Sequence, residues 1–367
     1  MSVTTDEARP KPASVVERLF ALQEHGTNVR TEVLAGVTTF LTMAYIVFIN
    51  PMILADAGMP KGAVFVATCL IAAIGSMIMA LAANYPIALA PGMGLNAYFA
   101  YVVVLQMHYS WQAALGAVFI SGCCFLAVTL LRIRDVIIDG IPVSLRIAIT
   151  VGIGLFLAII SLKNAGLVAA DPATFVTVGD LHKPGAVMAA LGFLLIAALS
   201  ALEVRGALLI GILAVTVLSF FVAGNAFHGV VAMPPSIAPT FFALDVKGAL
   251  AHGLLDVILV LFLVELFDAT GTLMGVARRA GLLVDGSTSR LSRALIADSS
   301  AIFLGSLLGT SSTTAYLESA AGVEAGGRTG LTAVTVALLF LCCLFFAPLA
   351  GACPPTRPRP PCSTSPA

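Results

Sequence analysis

The sequence predicts an all-α polytopic membrane protein with a seven-plus-seven inverted-repeat transporter fold, and three observations predict it. Of 367 residues, 59% are hydrophobic and 10% charged, whereas a soluble domain is nearer half apolar and a quarter charged. The apolar residues gather into eleven runs, most of them close to the length of about 20 residues that crosses a bilayer. The third and tenth of these runs, seven apart, are interrupted alike by Gly, Pro or hydroxyl residues. Non-helical backbone at membrane depth is tolerated only where protein or a cavity covers it. Secondary transporters place such broken helices at corresponding positions of two repeats and bind substrate between them, with half-helix N-termini pointing at the ligand.

Residues 1–30 are polar and mixed in charge and carry no cleavable signal, so they read as a cytoplasmic amino-terminal segment. Spans are expected at 33–53, 63–83, 87–106, 111–131, 143–162, 185–201, 206–224, 249–277, 292–308, 310–323 and 330–350. Pro51 should close or kink the first, and the long eighth carries acids. With the amino terminus inside, thirteen cations fall on the inner side: Arg9, Lys11, Arg18, Arg30, Arg132, Arg134, Arg146, Arg205, Arg278, Arg279, Arg290, Arg293 and Arg328. Only four, Lys61, Lys163, Lys183 and Lys247, fall outside. That bias orients the chain in the cell (inner) membrane with a cytoplasmic amino terminus. The repeats divide it into 31–225, seven spans, and 226–352, about four.

Composition also excludes function classes. The net charge is zero, which gives no electrostatic case for a nucleic-acid partner. Cys123–Cys124 and Cys342–Cys343 lack metal-ligand spacing and read as small buried hydrophobes. "GMGLNA" (92–97) fits a dinucleotide fingerprint in form only, since it lies in a span without a soluble βαβ unit. "DATGT" (268–272) resembles the phosphorylated aspartate sequence of ion-pumping ATPases, but Ala269 stands where the lysine belongs. No phosphate-binding loop or H-E-x-x-H motif occurs. The chain is expected to be neither an enzyme nor the holder of a cofactor or metal.

An ionisable group inside a span costs several kcal/mol unless it is paired or faces water, so it is a functional candidate by default. "LVELFDATGTLMGV" sets Glu265 and Asp268 three residues apart, about 60° around a helix, so that both can address one cavity. "LLGTSSTTAYLESAAG" (307–322) adds Glu318. Structural acids paired to arginines are the plain alternative, but the spans that hold the three acids offer no Lys or Arg beside them.

Four stretches, "EHGTNVRTEVLAGVTTFLTMAYIVFINP", "NYPIALAPGMGLNAYFAY", "VELFDATGTL" and "GTSSTTAYLESAAGVEAGGRTG", closely resemble the AzgA-like branch of the nucleobase–cation symporter 2 family. The resemblance runs from about Val16 to Ala352. It implies fourteen helices in two inverted repeats, arranged as core and gate domains, with a short strand and a half-helix in the third and tenth segments. It implies that the site acids are Glu265, Asp268 and Glu318 and that the amide of the third segment is Asn96. The family branch usually has Asp where Glu265 stands, and Asp256 is an acid without counterpart in that pattern.

A carboxylate accepts two adjacent N–H groups of a flat heterocycle, and a second acid can carry a coupling proton. Glu265 and Glu318 are therefore expected to contact substrate, together with Asn96, Phe267 and Thr270. Asp268, with Glu318, is expected to serve proton coupling. Phe267 or Tyr98 could stack on a base. Proton-coupled import of adenine, guanine or hypoxanthine is the leading expectation, with xanthine or uracil transport on the same fold as the alternative. A sulfate-type anion carrier shares the architecture but should avoid three acids. An intramembrane aspartyl protease would need a G-x-G-D motif that the chain lacks. The expected partners are the base, the proton and the lipid bilayer; a homodimer is compatible with this reading. Beyond Ala352 the chain turns to "CPPTRPRPPCSTSPA". A one-base frameshift near codon 352 is expected, because a back-translation with freely chosen third bases, read in a shifted frame, gives an apolar, family-like stretch; a natural short form with a disordered tail is the alternative. Residues 353–367 would then stand in place of three further helices, and such a chain is expected to insert poorly and transport nothing.

Overall fold

The two interrupted runs meet at the centre of the molecule. The computed structural model describes residues 15–131, 133, 143–171, 174–202, 204, 207–223, 231–251, 253–282 and 288–347. The tail 353–367 and residues 1–14 lie outside these described residues. In chain order the first half holds α1 (Val15–Phe20), α2 (Val29–Met43), α3 (Ile46–Asp56), α4 (Lys61–Ala83) and strand β1 (Leu89–Pro91). There follow α5 (Met93–Ala97), running directly into a π-helix (Tyr98–Gln106), α6 (Trp111–Leu130), α7 (Val143–Asn164) and the hairpin β2 (Val168–Asp171) and β3 (Phe175–Val178). Then come α8 (Pro184–Ala201), α9 (Ala207–Ala223), α10 (Val246–Ala251), α11 (Leu255–Arg279) and α12 (Thr288–Leu308). Strand β4 (Thr313–Ala315), α13 (Ser319–Glu324) and α14 (Gly330–Cys343) complete the described chain.

Each expected run thus coincides with helix or with a strand-and-helix unit, and among the described residues six helical stretches are long and apolar enough to cross a membrane. Two runs differ from expectation. Helix α3 does not end at Pro51 but continues through it to Asp56. The interruption falls upstream, at Ala44–Tyr45, where Val47 and Phe48 donate to carbonyls only three residues back. Proline removes one helical donor and crowds the carbonyl four residues before it, and the loosened turn lies just N-terminal to that carbonyl. The eighth run is likewise two helices, because Gly253 between α10 and α11 takes φ +71°, a conformation that costs an L side chain but not glycine. Asp256 then sits exposed in the first turn of α11, where negative charge suits a helix N-terminus.

Helix α4 is the axis. Its 23 residues are apolar on every side, and 72% of its most hydrophobic window is buried, as an all-round apolar helix requires. Helices α3, α12 and α14 pack around it, and α6 packs against the far side of α12. In contrast, only 17% of the corresponding window of α8 is buried, and Phe193 and Leu194 stand fully outward, a face suited to hydrocarbon. Cys124 and Cys342 are also on outward faces rather than buried as the sequence reading expected. Both belong to strongly apolar helices, and Cys124 lies on one long enough to cross a membrane.

Candidate functional site

Strands β1 and β4 pair antiparallel, with Leu89 opposite Ala315, Ala90 opposite Thr314 and Pro91 opposite Thr313. Two more backbone bonds extend the ladder, from Gly92 to Ser312 (2.9 Å) and from Tyr316 to Ala88 (3.0 Å). The Tyr316 hydroxyl donates to the Pro91 carbonyl at 2.6 Å. The backbone donors and acceptors left over by two broken helices are thereby satisfied by each other, which the low-dielectric setting demands. Gly92 is needed for this approach, since a Cβ there would stand 2.9 Å from Thr314 Cγ2.

A cavity of about 390 Å³ opens beside the crossing. It is bordered by Gly92, Met93 and Gly94 of the first broken segment, by Thr314 and Glu318 of the second, and by Asp268 and Tyr45. That volume lies within the range of small-molecule pockets. Glu318 precedes α13, and its Oε1 accepts the Tyr45 hydroxyl at 2.6 Å. Asp268 opens into the cavity, and its Oδ2 accepts from Thr314 at 3.0 Å. Among the described residues no ion pair involves Glu265, Asp268 or Glu318.

Glu265 and Asp268 do not share this wall. The 60° between them is enough to turn Glu265 inward, where it is 1% exposed and its Oε2 accepts from Ser121 of α6 at 2.7 Å. Asn96 is also behind the wall, fully buried. It donates to Asn50 and accepts from Ser311, while Asn50 donates to Thr68 (2.7 Å) and Thr310 (3.0 Å). This amide network joins α3, α4, α5 and the second break. Phe267 and Thr270 are half-buried on α11, outside the residues that border the cavity; the Thr270 hydroxyl returns to the Leu266 carbonyl. Tyr98, the other candidate for stacking, packs against the core formed by α5, α6 and α11. Tyr45, Asn50 and Ser121 went unnoticed in the sequence, where a tyrosine, an amide or a serine in a span is ordinary packing.

Residues 30–356 match the Xan_ur_permease model, described as the Permease family. The chain belongs to the nucleobase–cation symporter 2 permeases. The permease is 50% identical over 341 residues to the adenine permease AdeP of Escherichia coli (strain K12), covering 93% of this chain and 77% of that one. It is 46% identical over 340 residues to the guanine/hypoxanthine permease PbuO of Bacillus subtilis (strain 168), covering 91% and 79%. Among solved structures it is similar to the transmembrane domain of the cyanobacterial bicarbonate transporter BicA. The TM-score is 0.66 at 17% identity, over 90% of this chain and 86% of that one. This last likeness concerns the fold alone: the permease is a multi-pass helical protein of the inverted-repeat transporter class.

Proposed function

We propose that this permease imports purine nucleobases of the adenine, guanine or hypoxanthine type together with protons. One observation carries the reading: two carboxylates without cationic partners, Glu318 and Asp268, border one cavity at the crossing of two broken segments. A neutral ring edged with N–H donors suits such acceptors, whereas an anion would meet uncompensated negative charge. The similarity to adenine and guanine/hypoxanthine permeases supports the same substrate class. In this reading Glu318 receives a base N–H and Asp268 faces it from α11. Glu265, sealed behind with Ser121, holds the coupling proton, and Asn96 positions α5 through Asn50 rather than touching the base. Phe267 and Thr270 shape α11 beside the site. The repeats divide near residue 225, and the amino terminus lies on the cytoplasmic side of the cell membrane.

The test is uptake of labelled hypoxanthine by cells making a full-length version of the permease, in competition with a panel of unlabelled bases. Adenine, guanine and hypoxanthine should compete and uracil should not. A protonophore should collapse uptake, and removal of sodium should not. Glu318→Gln and Asp268→Asn should each reduce uptake by at least about tenfold, the loss of one charged hydrogen bond, with the protein still in the membrane. Full uptake by both variants would remove these acids from the site, and uptake that tracks sodium would remove the proton.

A further inference from the structure

Tyr45 occupies the interruption between α2 and α3, is 5% exposed and borders the cavity. Its hydroxyl donates to Glu318 Oε1 at 2.6 Å, a short, well-formed hydrogen bond. Oε2 accepts from no described residue. Three other polar groups face Glu318. Asp268, from α11, is another acceptor; the Tyr316 hydroxyl is taken by the Pro91 carbonyl; Thr42 reaches only the Glu318 backbone carbonyl, at 3.4 Å. One carboxylate oxygen is therefore already engaged by the protein, and the other has no hydrogen-bond partner among the described residues.

A carboxylate grips a heterocycle most firmly when both oxygens take adjacent N–H groups, as the ring N–H and exocyclic amine of guanine allow. Hypoxanthine offers only the ring N–H on that edge. We propose that Tyr45 is a specificity-determining residue. By holding Oε1, it confines Glu318 to a single N–H contact, so the site does not favour the two-donor edge of guanine over the one-donor edge of hypoxanthine. The proposal rests on the reading that Glu318 binds the base.

The experiment measures displacement of labelled hypoxanthine from membranes containing the full-length version of the permease, with unlabelled guanine and hypoxanthine as competitors. In the unmodified chain the two inhibition constants should lie within a few-fold of each other. In Tyr45→Phe, which frees Oε1 and keeps the ring, guanine should gain on hypoxanthine by about tenfold, the worth of one charge-assisted bond. A ratio that stays constant while both bases weaken alike makes Tyr45 merely structural and overturns the proposal. So does an unmodified chain that already binds guanine more than about tenfold tighter, a result that needs no variant to fold. Glu318→Gln separates the two ideas. If it leaves both constants unchanged, the reading of Glu318 fails and the proposal with it. If it abolishes displacement while the Tyr45→Phe ratio is unmoved, only the proposal fails.

Discussion

Glu32 stands at the mouth of the first span, where a charged residue is ordinarily a solvated flank, yet it is wholly buried. Its Oε1 accepts the Arg328 amide at 2.9 Å, and its Oε2 accepts the Thr329 amide at 3.3 Å and the Thr332 hydroxyl at 2.5 Å. One helix thus supplies the acceptors that the amides of the turn entering α14 need. Glu32→Gln would turn an amide group toward those donors. A loss of about 2 kcal/mol is expected, seen as a lower melting temperature in detergent with base affinity unchanged; an unaltered melting point would contradict the capping role. The sequence hid Glu32 for the reason that it hid Tyr45: neither breaks a local rule. The three candidate acids were legible because each breaks one, as a charge in an apolar run without a nearby cation. Which of them faces the cavity was not legible, since a 60° offset permits a shared wall and only the packing of α6 against α11 decides otherwise.

Among the elements, the broken segments were readable as breaks, because Pro, Gly and hydroxyl residues cannot sustain a lipid-facing helix. Their pairing was not readable, since strands of three residues carry no alternation to recognise. The close approach at this pairing gives a sharp expectation. Gly92→Ala puts a methyl 2.9 Å from Thr314 Cγ2 and should weaken uptake by about tenfold, a 1–2 kcal/mol packing conflict. Adding Thr314→Ser removes that methyl and keeps the hydroxyl that donates to Asp268, so the double variant should recover most of the loss. If the second change deepens the defect, the crowding explanation is wrong. The first span shows the converse limit: Pro51 signalled a distortion, but the chain yields at Ala44–Tyr45.

At the scale of the molecule, the end of α4 gathers distant elements. Asn84 caps the helix at φ 53°, a left-handed conformation that asparagine tolerates. Its side chain accepts from Gly330 (2.7 Å) and donates to Phe20 (3.0 Å). Arg290 donates to the carbonyls of Ala83 (3.3 Å) and Asn84 (2.7 Å) and meets His25 Nε2 at 3.0 Å. The segment before α2 is clasped to α4 and α12 by a planar fork that lysine cannot reproduce. Arg290→Lys should therefore speed proteolytic cleavage between residues 15 and 28 several-fold, with base affinity preserved; unchanged cleavage would deny the clasp. Arg290 and Arg328 entered the sequence reading only as members of the charge bias expected to orient the chain. Their partners were not visible, because they are mostly backbone carbonyls brought near only by the finished fold.

The strand crossing also governs the order in which this protein can be made. Tyr316 and Pro91, joined by a hydrogen bond, are 225 residues apart. A ribosome that has released the first broken segment has most of the transport fold still to synthesise. Until the second segment emerges, the amide of Gly92 and the carbonyl of Ala88 lack their partners, and each group left bare in hydrocarbon costs several kcal/mol. The nascent third segment must therefore wait in the translocation machinery, at the water boundary or against other helices, rather than settle in lipid. Assembly of the cavity is a late event of biogenesis, and an interruption of translation before residue 313 leaves a chain with spans but no site.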